Sequence, residues 1–240
     1  MWTATRWTDV FARQAGLFRT AIAIADPSAD VPSCPGWTFA DLTVHVARFL
    51  HTATRYLTSG SIVELRPVPV PRDVDPVIYL DEQLAAATQV LNNTSGNRPV
   101  WTFSPAAPDL AWVWHRRVAH ELNLRRWDAQ AALRTLTPTD REQAADAIDE
   151  LLGTLLAARL RADSPPQTVG TAVVEVTDGP QTWHVRLARG VVPEVRKAAR
   201  NEKADARLSN RTANVLYQLR SRMQLTGDGN AEVLRALRMS

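Results

Sequence analysis

Two short stretches of this chain hold the residues best suited to chemistry. The first leads from Pro35-Gly36-Trp37 to His45, and the second contains Glu121, Arg125 and Asp128. An imidazole titrates near neutral pH and can act as acid, base or metal ligand. Glu121 and Arg125 are four residues apart and Asp128 follows one turn later, so on a helix all three share a face. A guanidinium is permanently charged and offers a fork of donors to a carboxylate or an oxyanion. His45, Glu121 and Arg125 brought together could hold an anionic small molecule and move a proton on it. A plainer reading stands beside this one. Glu121–Arg125 is also the favourable orientation of an ordinary helical pair, worth roughly a few tenths of a kcal/mol, and His45 alone fits a satisfied core histidine. The two readings part on whether the helices carrying these residues are neighbours around a solvent-reachable hollow.

The elements that would position them follow from periodicity. Apolar residues at helical spacing run over 6–25, from Trp7 through Phe11 and Phe18 to Ile22, and Asp26-Pro27 ends the run. Val31 to Trp37 is a turn-rich loop. Thr38 and Asp41 have the spacing of a capping box, which opens a second helix running to about Leu57. Pro67, Pro69, Pro71 and Pro76 make 60–76 an extended crossover. A third helix is expected over 76–93 and a fourth over 109–133. Pro138 is expected to open a fifth, to about Arg161. Ser164-Pro165-Pro166 marks the expected boundary, after which the period changes to two. There Val169, Thr171, Val173, Glu175 and Thr177 fall on one strand face, and Ala172, Val174 and Val176 on the other. Asp178-Gly179-Pro180 turns into Thr182–Leu187, with further strands near 191–197 and 204–208 and helices over 211–221 and 229–238. The expected fold is mainly α: a helical bundle over 1–162 and a small α+β domain over 165–240.

Composition narrows the function classes. The formal net charge is +3 with 45% hydrophobic residues, enough for a buried core. The basic residues are nearly all arginine and scattered along helical patterns, so no nucleic-acid partner is expected. No apolar run is long enough to span a bilayer, and the first residues lack the apolar core of a signal peptide, so the expectation is a cytoplasmic protein with no membrane partner. Cys34 is the single cysteine. It cannot form an internal disulfide, and it reads as a small buried side chain rather than a nucleophile. The tryptophans at 37, 101, 112, 114 and 127 read as core and pocket wall. His184 lies on a strand with no partner visible in the sequence and reads as structural or surface.

Taken together the two stretches resemble the mycothiol-dependent maleylpyruvate isomerase family of the DinB-like metalloenzymes. Pro32, Pro35, Gly36, Trp37, Asp41, Leu42 and His45 match the family pattern Pro-x-x-Pro-Gly-Trp-x-x-x-Asp-Leu-x-x-His. Ala119, His120, Glu121, Arg126, Asp128 and Ala129 match Ala-His-Glu-x-x-x-His-Arg-x-Asp-Ala. The segment from Val215 to Arg222, followed by Gly227-Asp228, resembles the family's C-terminal elements. The resemblance implies a DinB-like four-helix bundle followed by a small α+β C-terminal domain. It also implies a divalent metal, often zinc, held by a His-Glu-His triad, and mycothiol as the thiol that isomerises or conjugates small electrophiles. The first histidine falls on His45 and the glutamate on Glu121. The second histidine falls on Arg125, which has no lone pair to ligate a cation. His120, His115 and His51 lie off the face that could replace it, and Asp128 lies one turn further along. The metal is therefore not expected to be retained.

Three functions stay open from the sequence. One is a small-molecule enzyme of the mycothiol-dependent isomerase or S-transferase type with a lost or altered metal site, with specialised metabolism as a candidate role. The second is a catalyst that needs neither metal nor mycothiol, using Arg125 for oxyanion binding and His45 for acid–base work. The third is a non-catalytic binding or regulatory protein with a fossil site. In the enzyme readings Trp37, Asp128 and Arg222 are candidate substrate contacts, and the C-terminal domain is expected to close the cleft. The partner is a small-molecule substrate, and the protein is a monomer or a homodimer.

Overall fold

A computed structural model describes residues 2–67, 69, 74–159 and 167–239. The chain divides into two compact units, residues 1–102 with 108–138, and residues 103–107 with 139–240. The expected boundary at Ser164–Pro166 lies outside the described residues.

The first unit is a bundle of four helices, α1 (Ala4–Ile24), α2 (Phe39–Ser59), α3 (Pro76–Asn93) and α4 (Ala111–Ala132). α4 packs on α1 and α2, and α3 packs on α1 and α2. Each begins where its local chemistry dictates. Thr38 and Asp41 form the expected capping box, with Asp41 N–H donating to Thr38 Oγ1 at 3.2 Å and Thr38 N–H to Asp41 Oδ2 at 2.9 Å. Asp75 caps α3, whose first residue is Pro76, where a missing N–H costs nothing. Trp7, Phe11 and Phe18 of α1, Leu42, Leu50 and Leu57 of α2, Leu80 of α3 and Leu122 of α4 are fully buried and fill the centre. α4 differs from the other three. It is buried around nearly its whole circumference, including His115, Arg116, Arg117, His120, Glu121, Asn123, Arg125, Arg126 and Asp128.

The second unit holds α5 (Arg141–Glu150), which runs through a π-helical turn (Leu151–Leu155) into the short α6 (Leu156–Ala158). A sheet follows, built from β1 (Gly170–Val176), β2 (Thr182–Leu187), β3 (Glu194–Lys197), β4 (Ala206–Asn210) and β5 (Asp228–Gly229), with α7 (Thr212–Leu219) and α8 (Ala231–Ala236). The strand order is β3-β2-β1-β4-β5, with β1 and β4 parallel and the other pairs antiparallel. Ala172, Val174, Val176, Val185 and Leu208 are buried on one sheet face, and α7 and α8 pack on β1 and β4. The opposite face carries Thr171, Glu175, His184, Arg186, Glu194, Arg196 and Arg207, in register across the strands.

Three details depart from the expectations. Pro138 does not open the fifth helix. Asp140 caps it instead, its Oδ1 accepting from Gln143 N–H at 2.9 Å, because a side-chain acceptor can satisfy an orphan amide and proline cannot. That helix packs on α7 within the second unit rather than joining the first, a choice its apolar stripe alone does not encode. The third strand starts at Glu194, not Val191, with Pro193 just before it.

Candidate active site

The loop before α2 is shaped by two turns. Cys34 N–H donates to Val31 O at 2.8 Å, and Trp37 N–H to Cys34 O at 2.9 Å. Pro35 presets the second turn, and Gly36 follows it with φ +81°, a left-handed geometry that a side chain would strain. The loop thereby presents Trp37 over the second turn of α2, and its ring lies 4.8 Å from that of His45, tilted by 50°.

Across from them runs α4. His45 Nε2 lies 3.3 Å from Glu121 Oε1, so the two stretches singled out in the sequence do meet. Arg125 Nε donates to the same oxygen at 2.7 Å. Arg117, one turn earlier, donates to Glu121 Oε2. The glutamate is thus gripped from both sides along its own helix and faced by the imidazole. Arg125 Nη1 donates to Asp128 Oδ2 at 3.1 Å and lies 3.7 Å from Cys34 Sγ. Its guanidinium carbon sits 5.5 Å from the centre of the Trp37 ring. Asp128 is fully buried, and its Oδ1 accepts from Ser33 Oγ at 2.7 Å while Oδ2 faces Cys34 Sγ at 3.4 Å.

The electrostatics follow from this crowding. Burial works to lower the pKa of Arg125, but the charges of Glu121 and Asp128 outweigh it and hold the pKa above its ordinary value. The guanidinium is locked as a cation in a site only 7% exposed. Its Nη2 forms no hydrogen bond among the described residues. The His45 side chain is 34% exposed, and because a carboxylate only accepts, its Nε2 carries the proton toward Glu121. The other ring nitrogen, Nδ1, has no hydrogen-bond partner among the described residues. The site therefore offers a fixed cationic donor and a solvent-reachable base, side by side under an aromatic ring.

Residues 9–130 match the family described as the mycothiol maleylpyruvate isomerase N-terminal domain. The chain belongs to that family. The crystal structure of the mycothiol-dependent maleylpyruvate isomerase is similar in fold, with a TM-score of 0.58 at 12% sequence identity, over 96% of this chain and 98% of that one. No curated protein sequence matches the chain.

The family's implied metal can be tested against the residues present. His45 and Glu121 are ligand-type side chains, but the third position is Arg125, whose Nε already occupies the glutamate oxygen that faces His45. Among the described residues no group of three or more His, Cys, Asp or Glu is placed to hold a metal ion. One imidazole, one carboxylate and a cation do not make the three-ligand set of a zinc site.

The remaining candidates are placed as follows. His115 is buried, its two ring nitrogens facing the carbonyls of Ala111 and Leu91. His120 is also buried, and His51 Nδ1 pairs with Tyr79 Oη at 3.1 Å. Arg222 follows α7 in the second unit, where Nη1 donates to Arg220 O. His184 lies 3.8 Å from Glu202 on the polar face of the sheet. Trp114 and Trp101 enclose Tyr56 in a stack, as packing rather than ligand platform. Sequence reasoning missed Arg117 and Ser33. Arg117 was legible, since it precedes Glu121 by four residues. Ser33 was not, since its bond to Asp128 spans 95 positions.

Proposed function

We propose that the chain is a cytoplasmic enzyme on a small-molecule electrophile, of the mycothiol-dependent isomerase or S-transferase type, in which Arg125 stands where relatives hold a divalent metal. The observation that carries it is the placement of Arg125: fixed on Glu121 and Asp128, with Nη2 unspent beside His45. A substrate carboxylate or developing oxyanion binds Arg125 Nη2, where a preorganised charged donor replaces Lewis-acid polarisation. His45 Nδ1 takes a proton from substrate or thiol and returns it, while Glu121 holds the ring through Nε2. Trp37 forms the wall over both. Asp128 positions Arg125 and the Ser33-Cys34 loop. Mycothiol, when bound, supplies the nucleophilic thiol.

A second reading uses the same residues without the thiol, and the free Nδ1 and Nη2 favour it as much, since together they already make a base and an oxyanion donor. Calorimetric titration with mycothiol separates the two: saturable binding supports the thiol-dependent form, and no binding supports the other. Elemental analysis of the purified protein tests what they share. Stoichiometric zinc, or turnover unchanged in both Arg125→Ala and His45→Ala, would overturn the assignment of Arg125 to the metal's place.

A further inference from the structure

The second unit has an open sheet edge whose chemistry is self-complementary. β3 is the outermost strand beside β2. Ala198 N–H donates to Thr182 O at 3.0 Å, which sets the phase of the ladder. Glu194, Arg196 and Ala198 exchange their backbone bonds with β2, so Val195 and Lys197 turn their N–H and C=O groups outward. Among the described residues no backbone bond closes that edge. The side chains around it are in water: Glu194 is 72% exposed, Arg196 57%, and the preceding Val191 54%.

We propose that two copies of the chain pair through β3, antiparallel, about a two-fold axis at Val195. An axis perpendicular to the sheet keeps like faces together, so a residue meets its counterpart at equal distance from the axis. With the axis at Val195, Glu194 of each copy lies opposite the partner's Arg196, and Val192 opposite the partner's Ala198. The two Val195 residues exchange a pair of backbone bonds. Lys197 N–H then reaches the partner's Pro193 C=O, and Pro193, having no N–H, ends the ladder there. The Glu194–Arg196 pairs fall at non-hydrogen-bonded positions, where cross-strand side chains come closest. Arg196 is also held by Glu202, and its Nη1 donates to the outward Lys197 C=O at 3.2 Å, an oxygen that the Pro193 end of the ladder leaves unused; a guanidinium has five N–H donors, enough for both carboxylates as well. Other axes fail. An axis at Lys197 opposes two ammonium groups. One at Arg196 opposes two guanidiniums at a close, non-hydrogen-bonded position. So short an edge makes a small interface, and the dimer is a weak, concentration-dependent one.

Sedimentation velocity of the full chain over about 1–200 µM tests this. The expected result is a monomer that becomes a dimer as concentration rises. Val195→Pro deletes the outward N–H and leaves the ladder to β2 intact, and it weakens association at least about tenfold. Glu194→Arg and Arg196→Glu each weaken it, and mixing those two variants restores it as a heterodimer, because each opposed pair is again of opposite charge. Circular dichroism establishes that each variant is folded. A monomer throughout the range, or association indifferent to Val195→Pro, overturns the interface. Folded variants that do not associate when mixed overturn the register.

Discussion

The two units use the same side chains, arginine against carboxylate, in opposite surroundings. On α4, Arg117, Glu121, Arg125 and Asp128 lie in a buried row, each at most 7% exposed. On the open sheet face, Arg186–Glu194 and Arg196–Glu202 stand in solvent, and Arg200 and Arg207 share Glu175. Water reaches the second set, fully at Arg186–Glu194 and only in part at Glu175, so those pairs are more screened and the exposed ones contribute little. The first set has no water to fall back on. Every charge there depends on its neighbours, and Nη2 of Arg125, unbonded among the described residues, is the donor proposed to bind substrate. Burial thus locks an ordinary i,i+4 pair in one geometry, and exposure leaves the same chemistry in contact with solvent.

The largest test of that contrast is Glu121→Ala. It leaves Arg117 and Arg125 buried without their shared carboxylate, and the expected loss is about 3–5 kcal/mol in denaturant unfolding. A loss near that of a surface pair would erase the distinction between the units. Arg125→Ala comes next. Removing an oxyanion-type donor is expected to lower kcat by about 10²–10³, measured once a turned-over substrate is in hand. Arg125→Lys restores only part of it, because a compact ammonium lacks the planar fork whose separate nitrogens reach Glu121 and Asp128 at once.

The cap of α2 is an intermediate case, an exposed charge held by backbone geometry. Thr38→Ala is expected to cost about 1 kcal/mol. The Thr38 backbone N–H, and then its hydroxyl, hold the Asp41 carboxyl below its ordinary pKa. A depressed folded-state value means that the stabilisation is present above the unfolded-state pKa, about 4, and disappears as pH falls through the folded value. Asp41→Asn should therefore cost less at pH 3 than at pH 7 in paired thermal melts. The smallest effect belongs to Arg186→Ala, whose contact with Glu194 is 3.7 Å long between exposed groups. Its unfolding free energy should stay within about 0.5 kcal/mol of the parent and should not change with salt. A larger, salt-dependent loss would show that the open face is electrostatically coupled after all.

Local chemistry made much of the architecture legible. Val31 to Trp37, the Thr38–Asp41 box, Pro76 at the start of α3, and the alternation of Thr171 to Val176 each carry their structure in neighbouring residues. β5 escaped, because two residues, Asp228 and Gly229, show no periodicity. The meeting of His45 with Glu121 was a conditional expectation, resting on two helices being neighbours. Asp128 was singled out as a substrate contact because it shares a helix face with Glu121. Nothing nearby in sequence says that Ser33 and Cys34 fold down onto it.

By itself, then, the order of residues determined which segments coil or extend, where helices start, and that a cation stands four residues after Glu121, since these depend on spacing and on bonds within a turn. Only the tertiary structure decided that α2 lies against α4, that Asp128 is sealed beneath the loop, and that Arg125 keeps one donor unspent. Those outcomes depend on contacts between residues far apart in the chain, where burial rather than spacing sets the strength of a charge.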